Sequence, residues 1–189
     1  MLMTMYCYKS QTYSLTGDIN EAKKAFSQAD KLIDHHKIMT IYYCTYLLAK
    51  VKLEFAELKE MAVSDRNFMH QLKKLIKTSD KLISKSKKMI GSLTEAYLIR
   101  AGIHIFRQQQ KKALKYLQLG ISTGEKHNGR LELSRTYFET GKFLSDPQTK
   151  QNQLNGLSGN DYLEKAKALF EEMDLQWDLE QYRKYVEGL

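Results

Sequence analysis

The chain has 189 residues, a formal net charge of +8, ten Gly and one Pro. This length allows one domain with a substantial core, and long runs without Pro or Gly, rich in Lys, Leu, Ala, Glu and Gln, exclude a sheet-rich protein with many tight turns. The two cysteines, Cys7 and Cys44, have no metal-type spacing, which excludes a disulfide framework and predicts buried free thiols in a reducing compartment.

The first predicted hairpin, residues 2–36, contains the clearest local pattern. Gly17 can take the left-handed conformation that ends a helix, and Asp18 with Glu21 predicts a capping box at the start of the next helix. That second helix carries small, large and small side chains on one face, at i, i+4 and i+7. These side chains are Ala22, Phe26 and Ala29.

The second hairpin, residues 38–90, repeats the first with a longer leading helix. Residues 19–33 align without gaps on residues 69–83, which indicates a duplication. The leading helix carries three tyrosines whose role has two possible explanations: they could line a groove for a peptide or pack between hairpins. They are Tyr42, Tyr43 and Tyr46.

Two further hairpins are predicted at residues 93–126 and 129–173. The polar stretch 145–160 contains the only Pro and predicts an exposed loop inside the fourth hairpin. An amphipathic helix at 175–187 is expected to cover the last apolar face, with Trp177 as a plug. The spacing pattern of the first hairpin recurs in the fourth, and we call the residues that match it the repeat positions of the fourth hairpin. They are Leu133, Tyr137, Gly141, Ala166 and Phe170.

The spacing of Tyr13, Gly17, Ala22, Phe26 and Ala29 resembles the tetratricopeptide repeat, a helical hairpin with a period of about 34 residues. The resemblance implies an all-α fold, a TPR-like α-α superhelix of about four hairpins plus a C-terminal capping helix. It also implies that the whole chain forms a single repeat domain.

In that family the first helices of successive hairpins line a concave groove that receives a protein or peptide. The resemblance therefore implies a non-catalytic protein-interaction scaffold. By position, the groove residues are Gln11, Ser14, Arg135, Phe138 and Glu139. Arg100 and His104 lie on the inner helix of the third hairpin as further candidate contacts, although ordinary packing is the favoured account of His104.

The C-terminal stretch YLEKAKALFEEMDLQWDLEQYRKY is similar to the last repeat of helical regions in large bacterial signalling proteins that combine an ATPase module with a kinase or cyclase. This similarity implies a regulatory or sensory region in signal transduction, with catalysis outside the sequence. The first helix begins at Leu2 without a cap or lead-in. We therefore expect the chain to be a fragment of a larger protein.

No sequence motif predicts catalysis. The chain lacks GxxxxGK[ST], GxGxxG, HExxH, paired CxxC and GxSxG patterns. His35 and His36 are adjacent and point to different sides of a helix, so they do not form a metal pair. We expect no enzyme activity, no cofactor and no metal.

A basic stripe, opposite the apolar face of the second hairpin's second helix, is the sharpest polar feature. Three accounts stay open: a solvated helix face, which is favoured, an acidic protein partner, and nucleic acid. Nucleic acid is the least favoured because no aromatic residues interleave with the stripe. The stripe residues are Lys73, Lys77, Lys81, Lys85 and Lys88.

The chain is expected to be cytoplasmic and not inserted in a membrane. Its N-terminal stretch contains Lys9 and has no basic lead-in, unlike a signal peptide. The longest uncharged stretch, 38–49, is far shorter than the roughly 20 residues of a membrane span. The sequence leaves the oligomeric state open.

Overall fold

Helices dominate the computed structural model, which describes residues 1–33 and 39–188 apart from the side chain at position 90. The predicted all-α class is confirmed. The helices are α1 Leu2–Thr16, α2 Ile19–Ile33, α3 Thr40–Glu60, α4 Phe68–Ser86, α5 Ile90–Phe106, α6 Gln110–His127, α7 Arg130–Ser145, α8 Gly159–Glu172 and α9 Gln176–Glu187. Two short strands, β1 Gln153–Leu154 and β2 Leu157–Ser158, lie between α7 and α8.

The helices group into two compact units, Met1–Ser92 and Leu93–Leu189, here called unit 1 and unit 2. The boundary falls in the first turn of α5. The prediction of one repeat domain over residues 1–189 stays a prediction. The predicted ends of the first hairpin at His36 and of the second at Ile38 lie outside the described residues, as does His35.

In unit 1, α1 packs against α2 and α3, and α3 packs against α4. Gly17 has the predicted left-handed conformation, with a φ of 85°. The predicted capping box is only half formed: Asp18 Oδ1 accepts a hydrogen bond from the Glu21 amide at 3.1 Å, but the Asp18 amide donates to the Tyr13 carbonyl and the Glu21 carboxylate pairs with Lys24. Ala22 and Ala29 are fully buried. Small side chains on α2 therefore allow close helix packing, as the repeat pattern requires.

In unit 2, α7 packs against α6 and α8, and α8 packs against α9. Gly141 on α7 and Gly159 at the start of α8 face each other where the two helices meet. Phe170, fully buried on α8, contacts Phe138 on α7 edge to face, with ring centroids 6.0 Å apart. The core of this unit is therefore built around the predicted repeat positions of the fourth hairpin.

The predicted exposed loop at 145–160 is wrong in part. Asn155 and Gly156 both have positive φ, 51° and 77°, and they connect β1 to β2 in a tight hairpin. Leu154 points inward and is only 8% exposed. Its carbonyl accepts a hydrogen bond of 3.0 Å from the hydroxyl of buried Tyr162. The Asn-Gly pair was the missed signal.

Three other local predictions need correction. Helix α4 ends at Ser86 and not at Ile90, and α5 begins at Ile90 and not at Leu93. Trp177 is 45% exposed, so it is not a plug. Instead Tyr182 and Tyr185 of α9 cover the ring of Phe138, with centroids 5.9 Å away in each case. Among the described helices, none combines the length and apolar character that a membrane span needs.

Candidate functional site

A cleft in unit 1 has a volume of about 470 Å³ and lies between α3 and α4, beside the end of α2. Ile33 and Leu47 give it an apolar part, and Tyr43 and Tyr46 give it an aromatic part. Lysines from two helices line the rest. We call this site the basic cleft. Its four lysines are Lys50, Lys74, Lys77 and Lys81.

Helix geometry explains which lysines reach the basic cleft. Two residues four positions apart on a helix differ in direction by about 40°, so a stripe built on this spacing winds around the helix. At Lys73 the predicted stripe no longer faces the cleft. Lys74, Lys77 and Lys81 stay within an arc of about 60° on α4. Lys77 and Lys81 therefore line the cleft, whereas Lys73 and Lys85 are exposed elsewhere. Lys88 lies beyond the end of α4.

The aromatic part of the basic cleft comes from α3. The rings of Tyr43 and Tyr46 are stacked, with centroids 6.1 Å apart and an interplanar angle of 8°. The Lys81 ammonium lies 5.3 Å from the Tyr43 ring, and the Lys50 ammonium lies 5.7 Å from the Tyr46 ring. Both distances fall within cation–π range. Lysines of this site thus lie against aromatic rings, which the sequence of α4 alone did not reveal.

Tyr46 anchors the cleft wall. Its side chain is 5% exposed, and its hydroxyl donates a hydrogen bond to the carboxylate of Asp30 on α2. Burial, and then the negative charge and hydrogen bond of Asp30, hold the pKa of Tyr46 well above its ordinary value. The hydroxyl therefore stays protonated and acts as a fixed donor between α2 and α3.

The positive charge of the chain is concentrated in unit 1. Residues 1–92 contain 16 Lys and Arg against nine Asp and Glu, a net charge of +7, whereas residues 93–189 have a net charge of +1. Inside the cleft, Lys74 lies 3.5 Å from the carboxylate of Glu54, which is 6% exposed. Among the described residues, the carboxylates of Glu54 and Asp30 do not balance the four ammonium groups of the cleft, so this part of the structure favours an anionic ligand.

Two of the predicted partner-binding residues lie on α1 and do not line the basic cleft. Gln11 is 9% exposed, and its Oε1 accepts a hydrogen bond of 3.0 Å from Lys52 on α3. The Ser14 hydroxyl donates to the Ser10 carbonyl one turn earlier, at 2.9 Å. Gln11 thus contributes to the packing of α1 against α3.

Arg100 and His104, predicted on α5, are both buried in unit 2 against Tyr116 of α6. The His104 ring stacks on Tyr116 at 5.3 Å and 16°, and its Nδ1 lies 2.9 Å from Oε1 of Gln109. The Arg100 guanidinium lies 5.8 Å from the same ring. These contacts agree with the packing account of His104.

The three predicted residues of α7 have different environments. Arg135 forms a bidentate ion pair with Asp178 of α9, with N–O distances of 2.8 and 2.9 Å. Phe138 is 8% exposed within the core. Glu139 accepts a hydrogen bond of 2.9 Å from Lys142, beside a second cleft of about 400 Å³ in unit 2. Partner binding by any of these residues stays a prediction.

His104 predicts a pH dependence of stability. Burial holds its pKa below the ordinary value of 6.5, and the positive charge of Arg100 acts in the same direction. As the pH falls below about 6.5, the unfolded chain binds the proton first, so the free energy of unfolding decreases by at most about 1.4 kcal/mol per pH unit. Above that pH the ring is neutral in both states and contributes no pH dependence.

Urea denaturation at about pH 7.5 and about pH 5.5 measures this effect. The variant His104→Gln should lose part of the acid destabilisation. The matched control is His127→Gln, since His127 is exposed at the end of α6. Equal pH dependence in the two variants would show that His104 is not the responsible group.

Lys50 and Lys74 were not predicted as site residues, whereas Tyr43 and Tyr46 were expected either to line a groove or to pack between hairpins. A signal was present, since Tyr43, Tyr46 and Lys50 recur at i, i+3 and i+7 and so share one face of α3.

Among residues 1–33 and 39–188, no group of three or more His, Cys, Asp or Glu side chains is placed to hold a metal ion. Cys7 and Cys44 are buried, and burial raises the pKa of the Cys7 thiol to about 12, so it stays protonated near neutral pH. No family model, curated protein or solved structure matches this chain.

Proposed function

We propose that this chain is a non-catalytic helical-repeat scaffold that holds an acidic segment of a partner protein in the basic cleft. The observation that carries the proposal is the convergence of four lysines from α3 and α4 on a cleft with an apolar and aromatic wall. Carboxylates of the partner would contact the ammonium groups. Apolar side chains between them would pack on Ile33 and on the partly exposed ring of Tyr43.

The cleft favours a peptide over a nucleic acid. Single-strand binders stack successive bases on exposed aromatic faces. Tyr46 is 5% exposed and its hydroxyl is engaged with Asp30, so its ring offers no platform for a base. Tyr43 is stacked on Tyr46 and approached by Lys81, which leaves one partly exposed ring. An acidic peptide needs no such stacking.

The wider role follows from the hairpins. Pairs such as α1 with α2 and α7 with α8 pack closely through small residues at repeat positions, in keeping with a TPR-like superhelix. Scaffolds of this kind present binding surfaces in larger proteins. We place the chain in the regulatory or sensory region of a cytoplasmic signalling protein.

A fluorescein-labelled oligoglutamate peptide is the direct probe of the basic cleft. We expect saturable binding that weakens as salt rises, and a loss of about tenfold or more in affinity for K77E/K81E, because two cleft charges change sign. The matched control K73E/K88E makes the same change of net charge outside the cleft and should lose much less. Fluorescence anisotropy measures the affinity of the unaltered chain and of both variants for the labelled peptide.

Equal losses in the two variants would contradict a cleft-specific site and leave only general attraction to a basic surface. The alternative ligand, single-stranded nucleic acid, is tested with labelled oligothymidylate of the same net charge. Tighter binding of the oligonucleotide than of the peptide, with the same dependence on Lys77 and Lys81, would replace the acidic peptide by nucleic acid as the ligand.

A further inference from the structure

We propose that one acidic segment taken by the basic cleft belongs to a second copy of this chain, at the turn between α8 and α9. This inference rests on the proposed function, because it uses the same cleft. It adds the identity of a partner and predicts that the chain associates with itself from unit 1 of one copy to unit 2 of the next.

The turn between α8 and α9 carries exposed acidic groups and is followed closely in sequence by an exposed indole. The side chains of Glu171 and Glu172 are 58% and 61% exposed at the end of α8. Asp174 follows in a left-handed conformation, with a φ of 53°, which turns the chain into α9. Trp177, in the first turn of α9, is 45% exposed. We call these four residues the acidic corner.

The contacts that the acidic corner makes within its own chain are weak enough to be exchanged. Glu171 lies 4.0 Å from Lys167, and Glu172 contacts Arg130 at the start of α7. Exposed ion pairs of this kind contribute little to stability. The glutamates can therefore turn to lysines of another copy at little cost.

Opposite charges favour the pairing of the acidic corner with the basic cleft. Residues 158–189 contain eight acidic and four basic side chains, a net charge of −4, whereas unit 1 has a net charge of +7. Unit 2 as a whole has a net charge of +1, so the attraction acts at short range between the acidic corner and the basic cleft and not between whole molecules. Each copy carries one of each, so every copy can be both donor and acceptor.

The indole adds a specific contact. Trp is the aromatic side chain that attracts ammonium groups most strongly, and four such groups line the basic cleft. Its apolar body matches the surface offered by Ile33 and the partly exposed ring of Tyr43. The acidic corner thus offers both carboxylates and an aromatic ring, and the cleft has partners for each. A plain run of acidic residues offers only carboxylates.

The contact is heterologous, because the cleft and the corner are different surfaces. Each added copy leaves one free cleft and one free corner, so association produces chains or rings rather than only dimers. The acidic corner supplies four residues, whereas a standard stable interface has about 20 to 30 residues on each side, so the association is weak and depends on concentration.

A competing surface lies on α1. Its outer face carries large apolar side chains three to seven residues apart, each between 54% and 59% exposed. Association through this face would strengthen with salt, because salt screens the repulsion between positively charged units. Association through the basic cleft would weaken with salt. The side chains of this face are Leu2, Met5, Tyr8 and Leu15.

Sedimentation equilibrium of the full chain tests the proposal at about 0.1 M and about 1 M salt, where the screening length is about 10 Å and about 3 Å. We expect masses above the monomer at the lower salt, and the monomer at the higher. K77E/K81E and E171K/E172K should each weaken association about tenfold or more. An equimolar mixture of these two variants should associate again, because each supplies the complement of the other. K73E/K88E should behave as the unaltered chain.

Three outcomes would overturn the proposal. One is a chain that stays monomeric at the lower salt while it still binds oligoglutamate, which leaves the proposed function intact. Another is association that strengthens with salt, which assigns it to the outer face of α1. The third is a mixture of the two variants that stays monomeric. Loss of oligoglutamate binding in the unaltered chain would instead contradict the proposed function itself.

Discussion

Replacing Phe170 by Ala should lower the free energy of unfolding by about 3 to 5 kcal/mol. The ring is fully buried on α8 and meets Phe138 edge to face at 6.0 Å and 74°. Removing it forfeits the transfer free energy of the ring and leaves a cavity beside Phe138. The Phe138 ring also packs on Tyr182 and Tyr185, and these contacts limit how far it can move into that cavity. Urea denaturation followed by circular dichroism measures the change.

The matched control is Phe26→Ala, which removes the same side chain at the corresponding repeat position of the first hairpin. Phe26 is only partly buried, and it packs at 5.2 Å on the ring of Tyr46. We expect a loss of about 1 to 2 kcal/mol, because the exposed part of the ring has no transfer free energy to lose. Equal losses at the two positions would contradict the difference in burial.

Local patterns in the sequence predicted most of the helices, because these patterns report on short-range physics. Gly17 ends α1 in a left-handed conformation, as a residue without a side chain can do at no steric cost. Phe170 and Ala166 are fully buried at the predicted spacing on α8. Boundaries near Lys88 and Ile90 were less well predicted, since no Gly, Pro or capping residue immediately precedes α5.

The basic cleft could not be predicted from any single stretch. Tyr43 and Lys81 are 38 residues apart, and only the packing of α3 against α4 brings the Lys81 ammonium to within 5.3 Å of the Tyr43 ring. The predicted lysine stripe was chosen by steps of four and three along α4. Because successive residues point about 100° apart around a helix, Lys73 lies outside the cleft and Lys74 lines it.

The resemblance to a repeat family placed Arg135 and Phe138 at a groove by their position in the motif. Such a position cannot tell which side chains the next helix uses. Here Asp178 of α9 pairs with Arg135, and Tyr182 of α9 covers Phe138. Long-range pairing of this kind depends on how α9 docks, which is set by the summed packing of the unit and not by a local pattern.

Replacing Gly141 by Ala should lower the free energy of unfolding by about 1 to 3 kcal/mol, although Ala favours a helix by about 1 kcal/mol. A Cβ at this position would lie 2.7 Å from Leu163 Cγ and 2.9 Å from the carbonyl oxygen of Gly159. Leu163 is 4% exposed, and the carbonyl belongs to the backbone of α8, so neither can move away without separating α7 from α8.

Gly120→Ala is the control, because the nearest neighbours of a Cβ there would be side-chain atoms, the Thr136 methyl group at 3.1 Å and Tyr97 Cβ at 3.7 Å. We expect a change within about 1 kcal/mol of zero, since the gain in helix propensity offsets a small displacement of one methyl group. The source of the Gly141 penalty is tested by combining Gly141→Ala with Leu163→Ala. If the leucine side chain supplies the clash, the glycine substitution costs less in that background. An unchanged cost would assign the penalty to the Gly159 carbonyl, and hence to the closeness of the two helix backbones themselves.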